Sequence, residues 1–320
     1  MTIKSLSSSS LTNNVFYRSL LAGNEAFLPF FFPTAGYFAG GSNSGGRYST
    51  VDKFAYPSDT RSTLATGLAS ATNYLSGMSN NSVAGYAAGG EVTGNIKVTT
   101  VDKFSSPSDS RTTLGTGLSA ARVYSNGFYN QEVAGYIASG IEASGFVTTV
   151  DKFAVPADSR TTLATGVSTA IYWSAGFSNS GVAGYSAGGN TGSYTTNVDK
   201  FAYPADTRTT LATGLASATG GLAGMSNEGV AGYAGGGNAI TTVNKFAFPS
   251  DTRTTLATGL THAVYAVGAN ANSGTAGYFA GGYRSGWKDT VDKFAFPSDS
   301  RVTLGTGLSI AREGAVGFQI

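Results

Sequence analysis

One histidine and no cysteine among 320 residues leave little material for catalysis. A Ser-His-Asp relay or a histidine-rich metal site has His262 as its one available centre, and thiol nucleophiles, disulfides and Cys-ligated metals are excluded. Of 18 Asp and Glu, 11 recur at two fixed places in a repeat, leaving Glu25, Glu91, Glu132, Glu142, Glu228, Asp289 and Glu313. None of these lies close in sequence to another, so no carboxylate pair has general acid/base spacing. The 20 Lys and Arg divide the same way, with 12 at two repeated positions, Lys53 to Lys293 and Arg61 to Arg301. A charge demanded in nearly every copy answers a need that every copy has, which is pairing within or between neighbouring units. His262 stands where other copies have Ser70, Ala120, Thr169, Ser217 and Ile310, so it is expected on an exposed connector. The glycine-rich gaps lack the Gly-Lys-Ser/Thr of a phosphate loop, and no helix follows them. The expectation is a non-enzymatic protein with no catalytic residue, no cofactor and no metal.

The elements that position these charges repeat six times. Each copy reads Ala-Gly-Tyr, a glycine-rich gap, Val-Asx-Lys-Phe, a Pro-x-Asp-x-Arg corner and Leu-x-Thr-Gly. The Val-Asx-Lys-Phe runs begin at Val51, Val101, Val150, Val198, Val243 and Val291, a period of 45 to 50 residues. That period, with several short alternating runs per copy, predicts propeller blades or a solenoid. Ala84-Gly85-Tyr86-Ala87-Ala88 predicts the second strand of a blade and Val101 to Phe104 the third, which stops before Pro107. Six of the eight prolines occupy this corner (Pro57, Pro107, Pro156, Pro204, Pro249, Pro297), and the Asp two residues later suits the turn into a fourth strand, Arg111 to Leu114. The run Tyr124-Ser125-Asn126-Gly127-Phe128 then supplies the innermost strand of the following blade. Its glycine is expected to recur as Gly77, Gly127, Gly176, Gly224, Gly268 and Gly317, because inner strands crowd the axis.

The two ends complement each other. Ala311 to Phe318 aligns with Ala121 to Phe128, an inner strand with no second strand after it, whereas the first copy opens on Ala35-Gly36-Tyr37 with no inner strand before it. A C-terminal inner strand completing the first blade would close the ring and remove both open edges. We therefore expect an all-β, six-bladed propeller over residues 34–320, closed by a C-terminal inner strand, with an extended N-terminal arm over 1–33.

The net charge of +2 offers no field for nucleic acid, and no apolar run reaches the length of a membrane span. A basic-plus-apolar leader is also missing from the N-terminus, so export by the standard route is not expected. After a Ser-rich start, the arm carries Phe16, Tyr17, Leu20, Leu21, Phe27, Phe30, Phe31 and Phe32, an apolar set that something must cover. Docking onto another protein is one use of it; packing on the propeller flank is the other.

The order aromatic strand, Gly-Gly, variable gap, Val-charged-x-aromatic and Pro corner, as in Tyr278-Phe279-Ala280-Gly281-Gly282, Val291-Asp292-Lys293-Phe294 and Ala311-Arg312, resembles the kelch repeat over residues 35–320. It departs from kelch in having Thr-Thr-Leu where a Trp is usual after the Pro corner. The resemblance implies a propeller that binds partners more often than it catalyses. Residues Asn14 to Pro29 resemble a segment near the N-terminus of virion proteins of marine bacteriophages. That resemblance implies a virion location, assembly in the host cytoplasm and other virion or assembly proteins as partners of the arm.

The copies differ most in the gap between the second and third strands. After ring closure the first and last of these loops are neighbours, so Arg47 and Tyr48 are expected to adjoin Tyr283, Arg284, Trp287 and Lys288. Aromatic residues with Arg and Lys suit a partner-binding face, for a host surface protein or a glycan. A structural or attachment module is therefore expected first and a glycan-binding, lectin-like adhesin second, because the loop aromatics do not repeat from blade to blade.

Overall fold

The Ala-Gly-Tyr-x-Ala runs are buried along their whole length and the Val-Asx-Lys-Phe-x runs at Val, Asx and Phe, and the two pair directly as antiparallel neighbours, Tyr86 opposite Lys103 and Tyr136 opposite Lys152. The computed structural model describes residues 33–320, and these form six four-stranded antiparallel sheets arranged as propeller blades. The whole docking-arm set, Phe16 to Phe32, lies outside the described residues. Blade 2 runs from the axis outward as Ser76–Asn80, Ala84–Ala88, Val101–Ser105 and Ser110–Thr113. Blade 1 takes its inner strand, Val316–Gln319, from the far end of the chain, with Tyr37 opposite Phe318 and Phe38 opposite Gly317. The expected closure is thus present.

The register of blade 6 corrects one expectation. There Gly268 pairs with Ala280 and Ala269 with Phe279, whereas in blade 3 it is Gly127 that pairs with Ile137. Ala269, and not Gly268, therefore takes the axial position, and Asn270 takes the place of Phe128. Asn270 fixes this register through its side chain, accepting from the Tyr56 hydroxyl at 2.8 Å and donating to the Tyr37 carbonyl at 3.2 Å.

The cores lie between blades. Phe318 stacks on Tyr37 of its own sheet (5.2 Å) and on Phe104 of the next (5.6 Å); Phe128 does the same with Tyr136 and Phe201, and Phe177 with Tyr185 and Phe246. This explains the glycine of Ala-Gly-Tyr, since a Cβ at Gly85, Gly184 or Gly232 would run into the Phe318, Phe128 or Phe177 ring.

The repeated Lys and the corner Asp are spent on the same seams, whereas the repeated Arg faces the strand Asp of its own blade, Arg111 to Asp102 at 3.4 Å for example. Lys53 pairs with Asp109 of the next blade at 2.6 Å, and the pattern continues as Lys103–Asp158, Lys152–Asp206, Lys200–Asp251, Lys245–Asp299 and, across the closure, Lys293–Asp59. Each of these aspartates also accepts from the repeated tyrosine, Tyr37 to Asp109 at 2.7 Å for example, and each lysine lies over that tyrosine ring. Burial, and then the carboxylate, push the Tyr37 hydroxyl well above its usual range, so it stays a donor. The other repeated Asp holds the connector that arrives from the preceding blade. Asp151 accepts from the Ser119 amide and hydroxyl at 2.9 Å each, from Thr162 and from the fully buried Arg122. Asn244 keeps the corresponding bond to the Ala216 amide at 3.0 Å, so one blade manages it without a carboxylate.

Candidate functional site

The propeller has two unlike faces. The loops between second and third strands emerge with the connectors between blades, as the Leu68 amide bonding to the Ser49 carbonyl and the Thr72 amide to Tyr48 show. The first three of these loops are short two-stranded ribbons, Ser42–Asn43 with Gly46–Arg47, Glu91–Val92 with Ile96–Lys97, and Ile141–Glu142 with Gly145–Phe146. The opposite face carries the Pro corners and the turns out of the inner strands. Pro33 and Thr34 lie there, the Thr34 amide bonded to the Ile320 carbonyl at 2.6 Å, so residues 1–32 join the ring on the face opposite the variable loops.

At the centre of the connector face each connector turns down into its inner strand through one residue in the left-handed region. These residues are Tyr74, Tyr124, Trp173, Gly221, Ala266 and Gly314, with φ between 54° and 79°. Each donates its amide to the carbonyl of its counterpart in the preceding blade, Tyr74 to Gly314, Tyr124 to Tyr74, Trp173 to Tyr124, Gly221 to Trp173, Ala266 to Gly221 and Gly314 to Ala266, at 2.7 to 3.2 Å. The bonds form a closed circle around the mouth of the axial cavity. Tyr124 thus lies before the inner strand, which begins at Asn126, and not within it.

Three blades fill the circle with aromatics, and more join them. Ring centroids run from Tyr74 to Tyr124 (4.3 Å), Trp173 (5.1 Å), Tyr265 (6.0 Å), Tyr283 (5.6 Å) and Trp287 (5.1 Å), with Tyr172 and Phe146 branching off beside Trp173. Glu313 closes the arc between Trp287 and Tyr74; burial raises its carboxyl above the usual range, and those two side chains oppose the shift. The mouth inside the arc is a cavity of about 60 Å³. Beneath it the axis holds a second cavity of about 90 Å³, faced by Ser76, Asn126 and Ser174.

Of the residues expected to form a partner site, Tyr283 and Trp287 belong to this arc. Arg47 reaches the other way, bonding to Glu91, Asn95 and Asn73 of blade 2, and Tyr48 donates to Asn43 at 2.6 Å. Arg284 bonds to the Ala239 carbonyl of blade 5, so the two arginines extend away from each other around the rim. Lys288 holds the blade 6 loop through its main chain, donating to Gly282 and accepting from Arg312. His262 is exposed on its connector, as expected. Tyr74, Tyr124, Tyr172, Trp173, Tyr265 and Glu313 were not foreseen as a site. Aligning the last connector residues of the six copies brings them into two adjacent columns, which is the signal that finds them.

The other mouth of the axis holds a half-buried acid. Glu228, in the turn leaving the inner strand of blade 5, accepts the Ser180 amide at 2.5 Å. Burial pushes its carboxyl up to about 7, and the Ser180 amide and Tyr129 hydroxyl only partly offset this. A carboxyl raised in the fold above its unfolded value contributes fully below about pH 4.5, and that contribution is lost as pH rises through 7. The melting temperature is expected to fall across that window by the equivalent of up to about 3 kcal/mol. Glu228→Gln should flatten this slope and melt higher at pH 8; an unchanged profile in a thermal scan from pH 4 to 8 would show that the carboxylate is solvated.

Compared with known proteins, the chain matches no family model, and no curated protein matches it in sequence.

Proposed function

We propose that the chain is a non-enzymatic structural or attachment module of a phage virion, held by its N-terminal arm and presenting the connector face to a protein or surface partner. The propeller itself is a protein-interaction scaffold by class, though fold alone names no partner. One observation carries the reading. The repeated Lys and corner Asp are consumed in blade-to-blade seams and the repeated Arg faces the strand Asp of its own blade, as Arg111 does Asp102, while the differences between copies gather on the face opposite the point where residues 1–32 attach. A closed ring, with the attachment point of residues 1–32 on one face and its variable loops on the other, has the polarity of a module anchored at one face and reading at the other. The kelch-like order of the repeat and the likeness of Asn14 to Pro29 to phage virion proteins supply the finer assignment.

The test is a chain starting at residue 33. It is expected to fold and melt close to the full chain, because the ring closes through Ala35–Ala39 and Val316–Gln319, and to lose association with purified particles in a sedimentation assay. If Phe30, Phe31 and Phe32 instead cover the flank of the ring, their burial contributes several kcal/mol. A truncated chain that melts early and still sediments with particles rejects the arm as the anchor.

A further inference from the structure

The circle at the mouth of the axis separates what the fold requires from what some blades add. Every blade needs a residue in the left-handed region there, and Gly221, Ala266 and Gly314 meet that need with little or no side chain. Tyr74, Tyr124 and Trp173 meet it with bulky rings, in a conformation that disfavours every residue with a Cβ. The hydrogen-bonded circle gains nothing from those rings, so their presence points to what they display. They are half-buried, contiguous and concave around the mouth.

We infer that this arc is a carbohydrate-binding site, taking a neutral oligosaccharide across the connector face. The inference rests on the reading of that face as the partner-binding one. Sugars present apolar C–H faces edged with hydroxyls, and the arc offers the complement: ring faces edged with tyrosine hydroxyls and the Glu313 carboxyl. A neutral ligand fits the one charged group of the arc itself, the Glu313 carboxyl, which disfavours an acidic sugar. The nearby Arg47 and Arg122 are already paired, with Glu91 and with Glu142 and Asp151, leaving Arg284 and Lys288 of the blade 6 loop as nearby cations without an ion pair among the described residues. The mouth, at about 60 Å³, admits a hydroxymethyl group or a water but not a hexose ring, so the ligand lies over the arc and not down the axis.

The chain contains two tryptophans, and both Trp173 and Trp287 are in the arc, so tryptophan fluorescence, excited at the red edge where tyrosine does not absorb, reports on this site alone. The full chain is titrated with cellotetraose, maltotetraose, chitotetraose and mannotetraose to about 10 mM, the range in which shallow single sites saturate. At least one sugar is expected to give a saturable change. Tyr124→Ala should weaken it at least about tenfold with the melting temperature held. Trp173→Phe, which keeps a ring, should retain binding read through Trp287, and it serves if the alanine variant fails to fold. No saturable change with any of the four sugars, or binding indifferent to Tyr124→Ala, overturns the site and leaves the aromatics as a plug of the mouth. The same preparations are sedimented with particles. Association without sugar binding removes this inference and leaves the attachment reading standing, whereas sugar binding without association removes the attachment reading.

Discussion

Deleting residues 316–320 is expected to abolish the soluble monomer. Those residues supply the whole inner strand of blade 1, and with them go the four paired positions on Ala35–Ala39 and the Ile320 bonds to Thr34 and Ala35. Val316, Phe318 and Ile320 are almost completely buried, and Phe318 is the ring clasped between Tyr37 and Phe104. Three such side chains contribute roughly 5 to 8 kcal/mol by burial, and lost backbone bonds add about 1 kcal/mol each. A domain of ordinary stability has only about 5 to 15 kcal/mol in all. The deletion also frees one edge of a strand that is buried on both faces, an invitation to pair with another chain. Aggregation on size exclusion is the expected result, and a synthetic peptide of residues 311–320 added during refolding should restore a monomer. A truncated chain that stays monomeric and melts as before would mean that the ring holds without its closing strand.

The closure was legible before any coordinates because it depends on order along the chain. So were the blades, the Pro corners and the structural use of the repeated Lys and Asp, since a residue needed at every seam is written at every period. Which charges meet was not legible: Lys53 finds Asp109, a partner in another copy, and the repeat allows pairing within a copy equally well.

The mouth of the axis was hidden for a different reason. Tyr74, Tyr124 and Trp173 adopt their left-handed conformation because a carbonyl of the preceding blade receives their amide, a long-range cause that leaves no Gly or Asn behind as a local sign. Read locally, Tyr124 looks like the start of a strand. Glu228 was invisible in the same way, since its burial comes from blades 3 and 4 through Tyr129 and Ser180 and its own neighbours in sequence are polar or small. Gly268 misled because glycine is common here, and only the pairing of Ala269 with Phe279 shows which residue faces the axis.

That axial position gives the second large expectation: Gly127→Ala should cost at least about 3 kcal/mol. A Cβ there would fall inside the contact radius of the Gly77 carbonyl oxygen, and the same holds for Gly77 against Gly317, Gly176 against Gly127, Gly224 against Gly176 and Gly317 against the Ala269 carbonyl. The obstacle is backbone, so no side chain can rotate away, and moving the Gly77 strand drives it toward Gly317 in turn. Strain entered at one blade must therefore be passed around the circle or expel a strand from it. In a domain of this size the expected drop in melting temperature is roughly 5 to 10 °C. The control is written into the chain, because blade 6 already carries a methyl at this position as Ala269. Ala269→Gly should change the melting temperature little, by the fraction of a kcal/mol that glycine costs a strand. Equal effects of the two substitutions in thermal unfolding would mean that the axis is loose enough to admit a methyl anywhere, and that the glycines are kept for some reason other than the closeness of the inner strands.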